Sequence, residues 1–347
     1  MSFQIAKHAV GQGKPCFIIA EIAQAHDGSL GNAHAYIDAC ADAGVDAVKF
    51  QTHIASEEST AREPWRIKFS HQDDSRYDYW KRMEFPPSAW EGLAKHAQER
   101  GLIFLSSPFS LKAVELLEKL NIPAWKVASG EIGNPRLLKR MAQTGKPVLL
   151  SSGLASLEEL DRAVGWIKDA PFGVFQTTTA YPCPAERIGL NVLADFRERY
   201  NCPIGLSDHS AESASCIAAV ALGANMLEVH VVFSHQCFGP DTSASLSVPQ
   251  LKKMVADVRH VEKILNNPVD KNEEAVRASK LRSMFGKSVV ASRPLAAGHQ
   301  LSEVDLGLKK PGEGLLPIEL DALIGRTLKK PIPKDGCVVW EDLESNE

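Results

Sequence analysis

Two histidines carry the strongest chemical signal in the sequence. His209 ends the segment GLSDH, and His230 follows one repeating unit later in EVH, each at the end of a short apolar run. Two imidazoles at the ends of neighbouring strands, with the other coordination positions left to water and ligand, suit an open catalytic metal site. We therefore predict that His209 and His230 bind a divalent metal. A mixed nitrogen and oxygen sphere suits Mn²⁺, and Mg²⁺ or Zn²⁺ also fits two histidines.

Two lysines lie inside otherwise apolar runs, Lys49 in AVKFQ and Lys126 in AWKVAS. A buried ammonium group is costly unless it is paired, so each lysine needs an anionic partner. That partner is either an internal carboxylate, Glu21 or Glu131, or the phosphate and carboxylate of a ligand. Hydroxyls from four serines would complete such a ligand cradle: Ser107, Ser129, Ser151 and Ser207. A lysine Schiff base, as in a class I aldolase, is a competing use of the same position.

Glu21 and Glu131 also follow apolar runs. Carboxylates in such positions serve as general acid and base, or they bind sugar hydroxyls. Either glutamate could instead neutralise a lysine. The sequence leaves open which glutamate does which job.

The elements that position these residues form a repeating pattern. Short, β-branched apolar runs alternate with longer stretches of helical period, which is typical of βα units around a parallel sheet. Eight such runs occur, at residues 17–22, 47–51, 102–106, 124–129, 148–151, 173–177, 203–207 and 226–232. Eight units over about 250 residues predict a TIM (β/α)8 barrel. A doubly wound open sheet is the rival, but no G-x-G-x-x-G follows the first run.

Polar residues end nearly every one of these runs. In a closed barrel the carboxyl ends of all strands meet at one face, where active sites lie. For an isolated serine or threonine, a helix cap or a satisfied core polar group is the simpler explanation. Eight polar ends in series instead predict a single shared site.

One connection, residues 52–86, is unusually long, charged and aromatic, with Trp65, Phe69, Tyr77, Tyr79 and Trp80. Long connections in compact domains are usually lids, binding loops or disordered segments. The aromatic content favours a lid or an oligomer contact over disorder.

The domain organisation follows from a change in composition near residue 266. We predict a barrel domain over residues 1–265, a polar and charged linker over 266–282, and a small irregular domain rich in Pro and Gly over 283–347. The small domain has few core residues, so we expect it to pack against a barrel, its own or a partner's.

Composition excludes several classes of function. The net charge is −4 with no block of Lys and Arg, which indicates neither nucleic-acid binding nor a basic membrane surface. The seven cysteines are scattered without a C-x-x-C pair, which argues against a disulfide framework or a structural zinc site. The N-terminal residues lack a secretory signal pattern, so we expect a cytoplasmic protein.

Several motifs in register resemble a known family. FIIAEIAQAHDGSL, DAVKFQTH, AWKVASGE, VLLSSG, TTAYPCP, IGLSDHS and FGPDTSASLS occur in this order and resemble the sialic acid synthases and their relatives that make legionaminic and pseudaminic acid. The tail, from Gly286 through KKPGEGLLP to IGRTL, resembles the antifreeze-like (SAF) β-clip domain that ends those enzymes. The resemblance covers nearly the whole chain.

The resemblance implies an activity and an assembly. In that family, phosphoenolpyruvate condenses with an open-chain amino sugar such as N-acetylmannosamine, and a nonulosonic acid and phosphate are released. A divalent metal, usually Mn²⁺, polarises the aldehyde oxygen of the sugar. The enzymes are homodimers in which the antifreeze-like domain of one protomer caps the barrel of its partner, as in a domain swap.

The resemblance also implies roles for individual residues. His209 and His230 would hold the metal, Glu21 would contact the reacting end of the sugar, and Glu131 would help generate the water nucleophile. Phosphoenolpyruvate would be held by Lys49, Ser107, Lys126, Ser129, Ser151 and Ser207. The sugar would face Gln51, Tyr181 and Asp241, and Thr179 lies where some members have asparagine.

The main departure from the family pattern is at Lys310. The family usually has an arginine in a K-R-P-G segment that reaches the partner's sugar site, whereas Lys310 cannot form a bidentate fork. The identity of the acceptor sugar is therefore open. A Schiff-base aldolase, another phosphoenolpyruvate-dependent ketosugar-acid synthase and a non-catalytic sugar-binding protein are the alternatives. The complete set of polar strand ends argues against the last.

Overall fold

The computed structural model describes residues 2–345 and divides into two units, one up to Asn266 and the other from Asn267. The first unit begins with an antiparallel hairpin of β1 (Ser2–Ile5) and β2 (His8–Gly11). Phe3, Ile5 and Val10 of this hairpin are buried in one apolar cluster with inward-facing residues near the starts of the barrel strands. The hairpin side chains therefore fill the amino-terminal end of the barrel.

Eight parallel strands form the centre of the first unit, as the sequence predicted. They are β3 (Phe17–Ala23), β4 (Ala47–Thr52), β5 (Ile103–Pro108), β6 (Trp125–Val127), β7 (Val148–Ser151), β8 (Phe172–Thr177), β9 (Ile204–Asp208) and β10 (Met226–Val232). Their order is β5-β4-β3-β10-β9-β8-β7-β6. The two end strands of this order, β5 and β6, also contact each other, so the sheet curls into a nearly closed barrel.

The strand register brings chemical groups to one level of the barrel. His230 on β10 pairs with Glu21 on β3, and Glu21 pairs with Lys49 on β4. Ser207 on β9 pairs with Glu228 on β10. Because parallel strands all point the same way, these side chains lie together near the carboxyl ends.

Helices surround the barrel. They are α1 (Leu30–Ala43), α2 (Ala55–Glu58), α3 (Arg76–Met83), α4 (Pro87–Glu99), α5 (Leu111–Lys119), α6 (Pro135–Ala142), α7 (Leu157–Ile167), α8 (Val192–Tyr200), α9 (Ala214–Ala221) and, after the short β11 (Leu246–Ser247), α10 (Val248–Leu265). Each long helix buries one stripe against the sheet, such as Ala113, Val114 and Leu117 of α5. None of the helices within residues 2–345 combines the length and the apolar character that a bilayer span needs.

The long connection between β4 and α4 is ordered. It contains α2 and α3, and its aromatic residues form a separate small core. Ala55, Tyr79, Trp80 and Met83 are buried there, with Trp65, Phe69 and Tyr77 packed against them. We call residues 52–86 the aromatic segment.

The second unit begins with two short helices, α11 (Lys271–Arg277) and α12 (Ser279–Phe285), so the segment expected as a linker is largely helical. Strands β12 (Ser288–Ala291) and β13 (Leu306–Lys309) pair antiparallel, and α13 (Leu320–Leu323) follows. A small core forms around Val289, Leu323 and Leu328. Asp305 is buried beside it and accepts hydrogen bonds from side chains of Arg293, His299 and Ser302.

Candidate active site

A cavity of about 390 Å³ opens at the carboxyl ends of the barrel strands. Thirteen of the residues predicted from the sequence line it. They are Glu21, Lys49, Gln51, Lys126, Ser129, Glu131, Ser151, Thr179, Tyr181, Ser207, His209, His230 and Asp241. The convergence that the strand ends predicted is therefore present in the structure.

The floor of the cavity is a cluster of two lysines and two glutamates that we call the charged floor. Lys49 Nζ lies 2.6 Å from Glu21 Oε2 and 3.7 Å from Glu228 Oε1. Lys126 Nζ lies 3.3 Å from the same Glu228 oxygen. All four side chains are almost completely buried, so Glu228 is a shared counterion of both lysines. The prediction that an internal carboxylate pairs with a buried lysine is thus confirmed for Glu21. The second carboxylate that pairs with the lysines is Glu228, not Glu131.

The pKa values on the charged floor move in different directions. Burial opposes ionisation of Glu228, but Lys126 and Lys49 outweigh it and lower the pKa of Glu228 to about 2. Burial raises the pKa of Glu21 to about 7, against the opposing effect of Lys49. Burial also lowers the pKa of Lys126. Glu21 therefore exchanges its proton near neutral pH, as a general acid or base requires.

Hydroxyl groups surround the two ammonium groups. Ser107 Oγ accepts a hydrogen bond from Lys49 at 3.3 Å, and Ser151 Oγ accepts one from Lys126. Ser207 Oγ donates to Glu228 at 3.2 Å. Ser107 does not itself line the cavity, so it supports Lys49 from behind.

Ser129 and Thr179 approach the cavity from neighbouring loops. Ser129 Oγ accepts a hydrogen bond from the Gly153 amide at 3.1 Å, and a Cβ at Gly153 would lie only 2.7 Å from that oxygen. A side chain at Gly153 would thus displace Ser129. The Thr179 hydroxyl oxygen is buried without a hydrogen-bond partner, which leaves it available to a ligand.

The two predicted metal-binding histidines lie side by side. The rings of His209 and His230 are 5.2 Å apart, and Tyr181 stacks on His209 at 4.2 Å. Burial lowers the pKa of His209 to about 4 and that of His230 to about 3, so both imidazoles are neutral at pH 7. His209 Nδ1 donates to the Thr178 carbonyl at 2.8 Å, which leaves the Nε2 lone pair free.

This donor set fits a divalent metal. Neutral imidazole nitrogens are the form that binds metal ions, and Asp241 Oδ2 adds a carboxylate 3.8 Å from His230 Nδ1. Across residues 2–345, no three His, Cys, Asp or Glu side chains gather closely enough to form a complete metal cage. A metal bound here would therefore take its remaining ligands from water and substrates, as an open site does.

One wall of the cavity is built by Arg66 from the aromatic segment. The Arg66 guanidinium donates to Asp241 Oδ1 at 2.7 Å and to the Pro240 carbonyl at 2.6 Å. It also lies 4.2 Å above the ring of Tyr181. Burial raises the pKa of Asp241, and Arg66 opposes that rise. Arg66 thus joins the two residues that were predicted to face the sugar.

Glu131 and Lys310 differ in placement. Glu131 is half-buried on the cavity lining, accepts a hydrogen bond from Asn134 at 2.8 Å, and has its pKa raised by burial. Lys310 is exposed in the second unit, with its ammonium 5.5 Å above the ring of Phe285. Its contact with the sugar stays a prediction.

Sequence reasoning assigned no role to Glu228, Arg66 or His53, which all line the cavity. Glu228 was visible as a polar strand end two residues before His230, and this spacing could have identified it. Arg66 and His53 lie in the aromatic segment, where no periodic pattern indicates which side chains face the barrel.

Comparison with known proteins places the chain among sugar-acid synthases. It is 34% identical to human N-acetylneuraminate-9-phosphate synthase, covering 97% of this chain and 95% of that protein. It is 31% identical to N,N'-diacetyllegionaminic acid synthase of Campylobacter jejuni, covering 94% and 99%. The crystal structure of N-acetylneuraminic acid synthetase from Leptospira borgpetersenii with citrate matches with a TM-score of 0.71 at 28% identity, covering 81% of this chain and 98% of that one.

Two family profiles match consecutive parts of the chain. The NeuB family profile matches residues 36–270, and the SAF domain profile matches residues 286–344. The first match spans more than half of the chain and the whole region that builds the cavity after β3. The chain therefore belongs to the NeuB family and ends in a SAF domain.

Proposed function

We propose that this protein condenses phosphoenolpyruvate with an open-chain N-acetylmannosamine-like hexose to give a nonulosonic acid and phosphate. The observation that carries the proposal is the joint placement, in one cavity, of the charged floor and the histidine pair. The floor offers two ammonium groups and several hydroxyls to a phosphate and a carboxylate. Relatives named as N-acetylneuraminate-9-phosphate, N,N'-diacetyllegionaminic acid and pseudaminic acid synthases support the same reaction class.

The reaction follows from the chemistry of the two substrates. The enol carbon of phosphoenolpyruvate attacks the aldehyde carbon of the sugar and forms the new carbon–carbon bond. Water then adds at the cationic carbon that bears the phosphate, and phosphate leaves as its carbon–oxygen bond breaks. A divalent cation held by His209 and His230 would polarise the aldehyde oxygen. Glu21, with a pKa of about 7, can donate a proton to that oxygen as charge develops.

The remaining protein groups bind and orient. Lys49 and Lys126 hold the phosphate and carboxylate, with Ser129, Ser151 and Ser207 completing the cradle. Glu131 lines the same cavity with a raised pKa, which suits a base that takes a proton from the attacking water. Gln51, Tyr181 and Asp241 face the acceptor.

The charges of the outer cavity favour an uncharged acceptor. Arg66 and Arg76 are its basic groups, and each is paired with a carboxylate, Asp241 at 2.7 Å and Glu63 at 2.8 Å. Glu58 and Glu131 add further acidic groups to the lining. A sugar phosphate would meet a net negative surface there, so we expect the free amino sugar to be preferred.

The central experiment measures phosphate release from phosphoenolpyruvate after chelation, with and without added Mn²⁺. The acceptor panel contains N-acetylmannosamine, its 6-phosphate, mannose and a diacetamido-trideoxy hexose. We expect metal-dependent release with at least one uncharged amino sugar. Absence of phosphate release with every sugar and every metal would refute the synthase proposal.

Variants of the histidine pair test the metal assignment. We expect His209→Ala and His230→Ala to lose metal-dependent turnover with unchanged circular dichroism, because each removes one of two ligands. The matched control is His260→Ala, an exposed histidine on α10. Full turnover in either site variant would contradict the assignment.

One observation favours the Schiff-base aldolase as the second candidate. Burial lowers the pKa of Lys126, and a neutral amine is the form that attacks a carbonyl. Borohydride reduction in the presence of substrate would trap a covalent adduct on Lys126 in an aldolase. We expect no adduct, because Glu228 keeps this lysine ion-paired.

We further propose that the protein is a homodimer in which the SAF domain of one protomer completes the cavity of its partner through Lys310. Helices α11 and α12 bury none of their residues, and Val276, Met284 and Phe285 are 62–73% exposed, which indicates a surface that a partner covers. At a phosphoenolpyruvate concentration that saturates only the wild type, mixing the impaired Lys126→Met and Lys310→Ala proteins would then raise activity above that of either alone, because one site in each mixed dimer is intact. No recovery on mixing would argue that Lys310 acts within its own chain.

A further inference from the structure

His53 is a buried histidine in the cavity that lies apart from the metal-binding pair. It follows β4 directly, and its ring is sandwiched between Trp80 at 4.0 Å and Phe109 at 4.5 Å, both nearly parallel to it. Only about 3% of its side chain is exposed. The ring is thus held in one plane, and only its two nitrogens can make polar contacts.

Each nitrogen of His53 faces a different part of the site. Nδ1 lies 2.5 Å from Glu58 Oε1 on α2, so it donates its proton to that carboxylate. With the ring proton on Nδ1, Nε2 is an acceptor, and it receives a hydrogen bond from the Gln24 amide nitrogen at 2.7 Å. Glu58 therefore determines the tautomer of His53.

The direction of these bonds continues to the charged floor. The Gln24 amide nitrogen also donates to Gln51 Oε1 at 2.5 Å. Because the Gln51 oxygen is engaged there, its amide nitrogen points the other way and donates to Glu21 Oε1 at 2.9 Å. Every donor in this chain meets an acceptor. His53 Nε2 also lies 3.2 Å from Gln51 Oε1. A reversal of the His53 tautomer would place two donors face to face at Gln24 and favour rotation of the Gln24 amide, so that Gln51 Oε1 would lose its donor from Gln24.

We propose that Glu58 and His53 are a positioning pair through which the aromatic segment sets the amide orientation of Gln51, and with it the binding of the acceptor sugar. The inference rests on the proposed function, because Gln51 is the residue proposed to face the sugar. Glu58 belongs to the aromatic segment, whereas Gln51 and Glu21 belong to the barrel. The position of α2 therefore determines which way the Gln51 amide points in the cavity.

The kinetic test uses Glu58→Leu, with Glu58→Gln as the conservative variant that can still offer an acceptor oxygen to Nδ1. We expect Glu58→Leu to raise the KM for the acceptor about tenfold, the effect of about one hydrogen bond, while the KM for phosphoenolpyruvate changes less than about twofold. Glu58→Gln should recover most of the loss. The matched control is Glu57→Leu, because Glu57 is exposed on the same helix and pairs with Lys112.

A spectroscopic readout is independent of turnover. In full-length protein with ¹⁵N-labelled histidine, the His53 signals, assigned by their loss in His53→Gln, should show the Nδ1–H tautomer in the wild type and in Glu57→Leu. They should show the Nε2–H tautomer or a mixture in Glu58→Leu. A wild-type Nε2–H tautomer, an unchanged acceptor KM in Glu58→Leu, or an equal rise of both KM values would overturn the inference. If the wild type released no phosphate, the proposed function would be wrong. The ¹⁵N signals of His53 would still show whether Glu58 sets its tautomer.

Discussion

Replacement of Glu228 by glutamine isolates the role of the charged floor. The change keeps the shape of the side chain and removes the single carboxylate that lies within 3.3 Å of Lys126 and 3.7 Å of Lys49. Lys49 keeps Glu21 as a partner at 2.6 Å, whereas Lys126 loses its only carboxylate within 4 Å among the described residues. The perturbation therefore falls mainly on Lys126.

The expected cost can be worked out from these distances. At 3.3 Å and an effective dielectric constant of about 20, the Coulomb attraction of one ion pair is about 5 kcal/mol. Part of this lost attraction is offset, because the variant no longer has to desolvate a charged glutamate. Removal of one partner from a buried ion pair costs about 3–5 kcal/mol. We expect a loss of about 3 kcal/mol, near the lower limit, because Lys126 can release its proton. For a unit of this size that corresponds to a fall in Tm of about 6–10 °C.

The assay compares thermal unfolding of the wild type and Glu228→Gln in chelator, with and without phosphoenolpyruvate. Its phosphate and carboxylate can replace the missing counterion, so phosphoenolpyruvate should raise the Tm of the variant by more than that of the wild type. The control variant Glu212→Gln, which changes an exposed residue, should have the same Tm as the wild type. A change in Tm below about 2 °C would show that Glu228 is not the counterion on which the floor depends. If phosphoenolpyruvate raised the Tm of the variant by less than that of the wild type, it would not bind beside Glu228.

Three further variants test other parts of the molecule. Lys126→Met should raise the KM for phosphoenolpyruvate by about 100-fold, because a buried charged contact is lost, whereas the exposed Lys119→Met should not change it in the same phosphate-release assay. Arg66→Gln should raise the KM for the acceptor several-fold with almost no change in Tm, because its pair with Asp241 is partly exposed and worth less than about 1 kcal/mol; a large fall in Tm would contradict this. The hydrogen bonds from Ser302, His299 and Arg293 hold the pKa of Asp305 well below its usual range, so Asp305→Asn should lower stability by about 2 kcal/mol at pH 7. Because a lowered pKa stabilises the fold only above the unfolded value, thermal unfolding should show this difference shrinking as the pH falls below about 4. A difference that is constant with pH would show that charge is not its origin.

The barrel was predictable because its strands are buried on both faces. Such strands read as continuous apolar runs, and the predicted runs 148–151 and 226–232 coincide with β7 and β10. The N-terminal hairpin was missed. Its strands are only four residues long, and they are joined through Ala6 and Lys7, with Ala6 at a positive φ of 51° and no glycine or asparagine to signal a turn.

The convergence of the site was predictable, but its pairing was not. The carboxyl ends of parallel barrel strands must meet at one face, so the sequence pattern alone predicts that the histidines, the lysines and Glu21 lie in one group. The bond between Glu228 and Lys126, however, joins β10 to β6, which are four strands apart in the barrel order. Only the closed barrel places these two side chains across its interior from each other. Arg66 enters from a connection without periodicity, so no pattern predicts its direction.

The N-terminal hairpin has a kinetic consequence. Because Phe3, Ile5 and Val10 fill one end of the barrel, we infer that substrates enter and leave the cavity from the opposite side. The anion-binding lysines lie at the bottom of this dead end, and the groups proposed to face the sugar lie above them. We therefore expect compulsory ordered addition, with phosphoenolpyruvate first. An unreactive acceptor analogue should then inhibit uncompetitively with respect to phosphoenolpyruvate, whereas noncompetitive inhibition would show that the acceptor also binds the free enzyme and would contradict ordered addition.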